Sequence, residues 1–260
     1  MEKQTKKSKK KQSNLLRNIL LLICLVGIIY CGYNIYLVWK DYHTSDVEYD
    51  TLINDYVEEV PIEEEEYTLL DINWDELKKI NPDIVGWIRI KDTVVNYPIV
   101  RGANNDIYIH KTFEGKTASA GAIFMDYRNE ADFSDYVTVL YGHNMKNKSM
   151  FSMLRQYLDK EFLEEHKYIE IYTPNWTKIY EPSYVYTAHY TNGAYDFGIA
   201  DEANYKSWLS DRNKSSKYKK DPDTSKNSIV LSTCYGKSGT ENRCIVVIQE
   251  TEDSVYGLNN

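Results

Sequence analysis

From Ile19 to Trp39 the chain carries a run of 21 residues in which every member except Asn34 is apolar, aromatic, Cys or Gly. At about 1.5 Å per residue, such a run spans about 30 Å as a helix, the hydrocarbon thickness of a bilayer. A cleaved signal peptide is the competing reading, but the run is long for one and no small-x-small cleavage site follows it. An uncleaved anchor over residues 19–39 is therefore expected. Lys3, Lys6, Lys7, Lys9, Lys10, Lys11 and Arg17 precede it, and Tyr33, Tyr36 and Trp39 fall where an outer aromatic belt belongs. The positive-inside rule then makes residues 1–18 a basic cytoplasmic tail. The expectation is a single-pass cell-membrane protein with a cytoplasmic N-terminus and an extracellular domain.

The net charge of −8 understates the acidity of that outer part, because the cations concentrate before the span. So acidic a surface argues against nucleic acid as a partner, since that affinity comes largely from neutralising phosphates. Four cysteines exclude a disulfide-dense scaffold. Cys24 and Cys31 sit inside the span as small packing residues, which leaves Cys234 and Cys244 outside. No cluster has metal-ligand spacing, so neither a metal site nor a cofactor is expected.

Residues 40–69 read as an acidic stalk with a short helix. Val47, Leu52, Ile53, Tyr56 and Val57 have loosely helical spacing, and Glu63, Glu64, Glu65 and Glu66 form a like-charge run. A domain over residues 70–254 follows. Asn73 caps a helix from Trp74 to Ile80 that Pro82 prevents from continuing. Strands are expected at Ile84–Ile90, Val94–Val100, Ala122–Met125, Val137–Tyr141, Tyr168–Tyr172, Lys178–Tyr190, Ser228–Cys234 and Cys244–Glu250. Helical stretches fall at Met150–Leu158, Glu161–His166 and Glu202–Asp211. Eight strands without regular alternation with helices argue for a mainly β, antiparallel-rich closed barrel. The longest connection, residues 191–227, holds a helix and reads as a functional loop.

Cys234 follows the apolar run Ile229, Val230, Leu231 and the pair Ser232, Thr233, and opens into a loop containing Gly236. His143 occupies the matching position after Val137–Tyr141 and Gly142, and Arg243 starts the last strand. A thiol is mostly protonated near neutral pH, so a nearby histidine can take its proton or stabilise the thiolate. A guanidinium can hold the oxyanion of a tetrahedral intermediate. Each residue also has a plain reading: Cys234 as a packed residue or half of a disulfide with Cys244, His143 as a loop histidine, Arg243 as a strand-end cation. His110 and His189 lie in aromatic, structural settings.

At these residues the sequence resembles a sortase of the class B branch. The family's Thr-Leu-x-Thr-Cys motif corresponds to Val230, Leu231, Ser232, Thr233, Cys234, with the first position departing. Tyr141, Gly142, His143 match the histidine strand ending, and Arg243 before Cys244, Ile245, Val246, Val247, Ile248 matches the arginine strand. Asn81 to Ile88, Tyr97 to Val100, Ile123 to Asn129 and Met150, Phe151 are similar to class B members, so the likeness covers roughly residues 70 to 250.

That resemblance implies a membrane-anchored cysteine transpeptidase of a Gram-positive-type envelope. Its fold would be the eight-stranded sortase barrel with N-terminal helices and a helix in the long connection before the cysteine strand. Cys234 would attack the Thr carbonyl of a Pro-x-Thr-Gly or Pro-x-Thr-Asn sorting signal on a secreted protein, with His143 protonating the leaving amine and Arg243 stabilising the oxyanion. An amine of a peptidoglycan cross-bridge, in lipid II or the wall, would resolve the thioacyl enzyme. By motif position Asn105, Ile109, Ser232, Tyr235, Tyr195 and Phe197 would line the groove. Class B members often carry an acid after the thiol, where Tyr235 stands here; its backbone N–H could still serve the oxyanion. Asp126 is not assigned as a third member. A pilin-polymerising sortase and an inactive membrane-tethered binding module with a Cys234–Cys244 disulfide are the alternatives.

Overall fold

A computed structural model describes residues 2–61, 68–191, 195, 197–221, 223–236 and 241–251, without the side chains of residues 2–14. The run Glu63–Glu66 and residues 252–254 lie outside them. The chain divides into two compact units, Met1–Thr44 and Ser45–Asn260.

Helix α1, Glu2–Tyr56, contributes to both units. Over Leu15–Tyr56 it is long and apolar enough to cross a membrane, by length and composition. Within the first unit Leu20, Ile23, Ile28, Ile29 and Tyr30 are exposed around the helix. Such an unpartnered apolar cylinder suits hydrocarbon rather than water.

In the second unit the end of α1 departs from the expected stalk. Ser45, Glu48, Tyr49 and Leu52 are buried, whereas Asp46, Asp50 and Asp55 face solvent. Their i, i+3, i+4, i+7 spacing makes one packed helical face, which acidic composition alone conceals. Strands β1 (Val57–Pro61) and β2 (Thr68–Ile72) then form an antiparallel hairpin. The buried Arg89 ties it down, with its Nε donating to Glu170 at 2.5 Å and its Nη1 to Glu59 at 3.3 Å. Helix α2 (Trp74–Ile80) begins at Asn73, whose side chain accepts from the Glu76 N–H.

The barrel strands are β3 (Ile84–Arg89), β4 (Asn96–Val100), β5 (Ile123–Met125), β6 (Val137–Tyr141), β7 (Ile169–Tyr172), β8 (Thr177–His189), β10 (Ser228–Cys234) and β11 (Asn242–Glu250). A 3-10 turn, Ser152–Leu158, and α3, Lys160–Glu165, lie between β6 and β7. The hydrogen-bonded order β11-β10-β6-β5-β4-β3-β7-β8 closes through β8 and β11, giving an eight-stranded barrel. The β4/β5 and β6/β10 pairs are parallel and the other barrel pairs antiparallel. A two-residue strand β9 (Tyr218–Lys219) adds to β8 outside the ring.

Alternation along β6, β10, β11 and β8 sends Val139, Val230, Ile245, Val247, Tyr184 and Tyr186 to one face. There they pack with Tyr205, Trp208 and Leu209 of α4, Glu202–Ser215. This helix lies in the long connection, as expected, and runs four residues beyond Asp211. Tyr195 and Phe197 lie against the same face, so the connection makes a wall over the sheet next to the cysteine strand.

Candidate active site

Three neighbouring strands end at one corner of that covered face. Parallel register sets Tyr141 opposite Ser232, and the Gly142 N–H extends the ladder onto the Ser232 carbonyl at 3.1 Å. Two residues further along each strand, His143 and Cys234 leave adjacent strands, whose axes are about 4.8 Å apart. On the other side Cys234 pairs with Arg243 of β11. Directly opposed residues project from the same face, so the thiol and the guanidinium share it. Asn144 Nδ2 pins the end of β10 by donating to the Cys234 carbonyl at 2.8 Å.

The same register separates the two outer cysteines. Cys244 opposes Thr233, so it points to the other face, where it is fully buried and its Sγ lies 3.5 Å from the Leu154 carbonyl. Both thiols are free, and the disulfide alternative is corrected by this alternation. Burial pushes the Cys244 thiol up to about 12, which leaves it protonated and inert. Cys234 is only partly buried.

His143 Nε2 lies 2.7 Å from the Ile109 carbonyl oxygen. A carbonyl can only accept, so Nε2 carries the proton and Nδ1 is the nitrogen left for proton transfer. Burial pushes the imidazole below its usual 6.5; the Ile109 carbonyl opposes this, while His110 and Arg243 add to it. The His110 ring stacks near that of His143, with centroids 6.0 Å apart, so it belongs to the site's surroundings rather than to a remote aromatic setting. His189 pairs with Asn242 on β11, next to Arg243, and its ring nitrogens lie 2.7 Å from Thr191 and 2.6 Å from Glu241.

Four of the expected groove residues, Asn105, Ser232, Tyr195 and Phe197, join one network. The Tyr195 and Ser232 hydroxyls are 2.6 Å apart, and Tyr195 meets Tyr141 edge-on at 5.3 Å. Tyr141 donates to Asp126 at 3.0 Å, and Asn105 donates to the same oxygen at 2.8 Å. Arg128 forks onto Asp126 at 2.8 and 2.9 Å and stacks over Phe197 at 3.5 Å. Burial works to raise the Asp126 carboxyl, but the bonds from Arg128, Asn105 and Tyr141 together hold it below its usual range. The Arg243 guanidinium reaches Tyr195 and lies over the Tyr190 ring at 5.8 Å.

Tyr235 is exposed beside the thiol, but its backbone N–H donates to the Asn242 carbonyl at 2.9 Å. The expectation that this N–H serves an oxyanion is corrected: the turn into β11 uses it. Arg243 is the donor that shares a face with Cys234.

A model of the sortase domain matches residues 88–251. The chain belongs to the sortase family. Its relatives assign it to class B. Sortase B of Listeria monocytogenes is 52% identical over 91 residues, covering 35% of this chain and 37% of that protein. Sortase B of Staphylococcus aureus is 44% identical over 97 residues, covering 37% and 40%. These matches span about two fifths of each curated relative. Solved structures extend the likeness. The sortase B of B. anthracis in complex with AAEK1 superposes with a TM-score of 0.71 at 31% identity, covering 82% of this chain and 99% of that one. A Staphylococcus aureus sortase B–substrate complex gives 0.64 at 31% identity, covering 68% and 84%.

Several residues of this sortase escape the sequence reading. Asn144 had a local signal, because it directly follows the Gly-His pair. Tyr141 lay in the histidine-strand motif without an assigned role, and Arg128 and Tyr190 were not singled out, since their contacts with Phe197 and Arg243 join residues far apart in the chain. Asp126 supports the groove wall through Asn105, Arg128 and Tyr141 rather than acting on His143.

Proposed function

We propose that this sortase is a membrane-anchored cysteine transpeptidase that joins secreted proteins bearing a C-terminal sorting signal to a cell-wall amine. The observation that carries the reading is the exit of His143, Cys234 and Arg243 from three neighbouring strands beneath a covering wall of Tyr195 and Phe197. The bound peptide would run between that wall and the sheet, touching Asn105, Ile109, Ser232 and Tyr235. The Cys234 thiol gives its proton to His143 Nδ1 as its sulfur attacks the Thr carbonyl carbon of a Pro-x-Thr-Gly or Pro-x-Thr-Asn segment, and Arg243 faces the resulting oxyanion. As the C–N bond breaks, the His143 imidazolium gives its Nδ1 proton to the leaving amine. A peptidoglycan amine then attacks the thioester, loses its proton to Nδ1 and expels the Cys234 thiolate.

The anchor fits residues 19–39, with residues 1–18 on the cytoplasmic side and the domain over residues 70–254 outside. The test is mass spectrometry of the full chain in detergent with Pro-x-Thr-Gly and Pro-x-Thr-Asn peptides and triglycine. The expected product ends at Thr and carries triglycine, and it disappears in Cys234→Ala. Product formation that survives Cys234→Ala would overturn the reading.

A further inference from the structure

The Ile109 carbonyl that orients His143 is held from behind by α1. Glu48 is a fully buried carboxylate on the packed face of that helix, remote in sequence from the catalytic strands. One of its oxygens accepts from the Thr112 hydroxyl at 2.9 Å and lies 3.3 Å from Lys116 Nζ. The other accepts from the Glu114 backbone N–H at 2.9 Å. All three partners belong to one tight loop. Thr112 N–H donates to the Lys116 carbonyl at 2.9 Å, Gly115 supplies a positive φ of 82°, and Ala118 N–H donates to the His110 carbonyl at 3.0 Å. The loop therefore closes on His110, the residue after Ile109.

A second contact reaches the same peptide from the next helical position. The Tyr49 hydroxyl donates to the Gly121 carbonyl at 2.7 Å, and both Tyr49 and Gly121 are buried. Gly121 has φ +57°, and a Cβ there would stand 2.6 Å from the Ile109 oxygen and 3.0 Å from its carbonyl carbon. The Gly121 backbone thus lies flat against the Ile109 peptide, a position only glycine fills. Glu48 secures one side of this peptide through the 112–116 loop, and Tyr49 secures the other through Gly121.

We infer that Glu48 is a positioning residue for the transpeptidase: it fixes the 112–116 loop that closes on His110, and so holds the neighbouring Ile109 carbonyl that sets the orientation and tautomer of His143, with Tyr49 as its companion. The inference rests on the proposed reaction for its catalytic consequence, but not for its structural one. A buried carboxylate with its oxygens committed to one loop locks that loop far more tightly than neutral contacts would. Freed of it, the Ile109 carbonyl is not held at 2.7 Å from Nε2, and Nδ1 loses its aim.

The experiment uses the full chain in detergent with Glu48→Ala, Glu48→Gln and Tyr49→Phe. Steady-state transpeptidation gives kcat and KM, NMR of labelled histidine gives the His143 titration, and thermal unfolding gives the folded fraction. Since the Ile109 bond raises the His143 pKa against burial and against the His110 and Arg243 charges, its loss should lower that pKa further. We expect Glu48→Ala to reduce kcat by about 10- to 100-fold with KM changed less than about threefold. Glu48→Gln, which still accepts from Thr112, should recover part of the loss. Tyr49→Phe, which removes only the hydroxyl, should give a smaller loss of kcat in a fully folded protein. A His143 titration unchanged in folded Glu48→Ala and Tyr49→Phe overturns the inference. A shifted titration in a chain whose wild type cleaves no peptide upholds the positioning role and refutes the proposed reaction instead.

Discussion

Gly142 separates the last residue of β6 from His143, and its missing side chain is a tight steric requirement beside the site. A methyl group there would meet Ile123 Cδ1 at 2.5 Å and the Phe151 ring at 2.7 Å. Both side chains are fully buried, and the Phe151 contacts include Cγ, the fixed root of the ring rather than its tip. Restoring ordinary contact requires an opening of about 0.8 Å in a close-packed core. Overpacking of this kind costs about 1–3 kcal/mol. At about 2–4 °C per kcal/mol for a domain of this size, a mid-range cost lowers Tm by about 4–8 °C. The displacement reaches the chemistry, because the Phe151 N–H donates to the His143 carbonyl at 3.0 Å and the Gly142 N–H holds β10. A shift near 1 Å at a catalytic group costs on the order of 100-fold in rate. Gly142→Ala is therefore expected to lose both Tm and kcat. Trimming Phe151 to Leu in the same chain should return part of each, since the sites are in contact and couple. Differential scanning calorimetry and peptide transpeptidation measure the two effects. Wild-type Tm with kcat within about twofold would refute the steric reasoning.

Other outcomes follow from the same geometry. Arg243→Lys should lower kcat by about 10²-fold in steady-state transpeptidation, because an ammonium cannot reproduce the fork that faces Cys234 and reaches Tyr195; an unchanged kcat would contradict the oxyanion role. Maleimide labelling of the native chain followed by peptide mapping should modify Cys234 and spare Cys244, whose thiol is buried on the opposite face; equal labelling, or none, would contradict the register. His143 has a folded pKa below its ordinary 6.5, so the unfolded chain binds that proton first as pH falls. Its contribution to stability is present above about 6.5, declines as pH drops below that value, and levels off once the folded imidazole titrates. Thermal unfolding should show that limb in the wild type and a flatter one in His143→Gln; parallel curves would refute it.

What the sequence disclosed depended on whether the signal was local. The limits of β10 were legible because an apolar run ends abruptly at a glycine-bearing loop. β11 begins two residues before Cys244, since the pairing of Asn242 and Arg243 with β8 and β10, rather than hydrophobicity, sets its start. The hairpin of β1 and β2 was hidden because Val57–Pro61 reads as acidic chain until β2 pairs with it. The end of α1 was hidden for a related reason: Glu48 looks like one more solvated acid, and only the folded loop around Thr112 and Glu114 supplies partners that allow its burial. Cys234, His143 and Arg243 were legible as strand endings. The Asp126–Arg128 support beneath Phe197 was not, because no spacing joins a β5-end carboxylate to a residue in the long connection. The oxyanion expectation for Tyr235 failed on a turn hydrogen bond that sequence does not encode locally.

The central claim is that Cys234 carries the acyl group, and the most direct measurement is tryptic mapping by mass spectrometry of the full chain quenched in acid after mixing with sorting peptide but no amine. The account predicts a thioester-linked fragment ending in Thr on the peptide that contains Cys234, removed when triglycine is added. A cleaved sorting peptide with Cys234 unmodified at every quench time, and cleavage retained in Cys234→Ala, would contradict it.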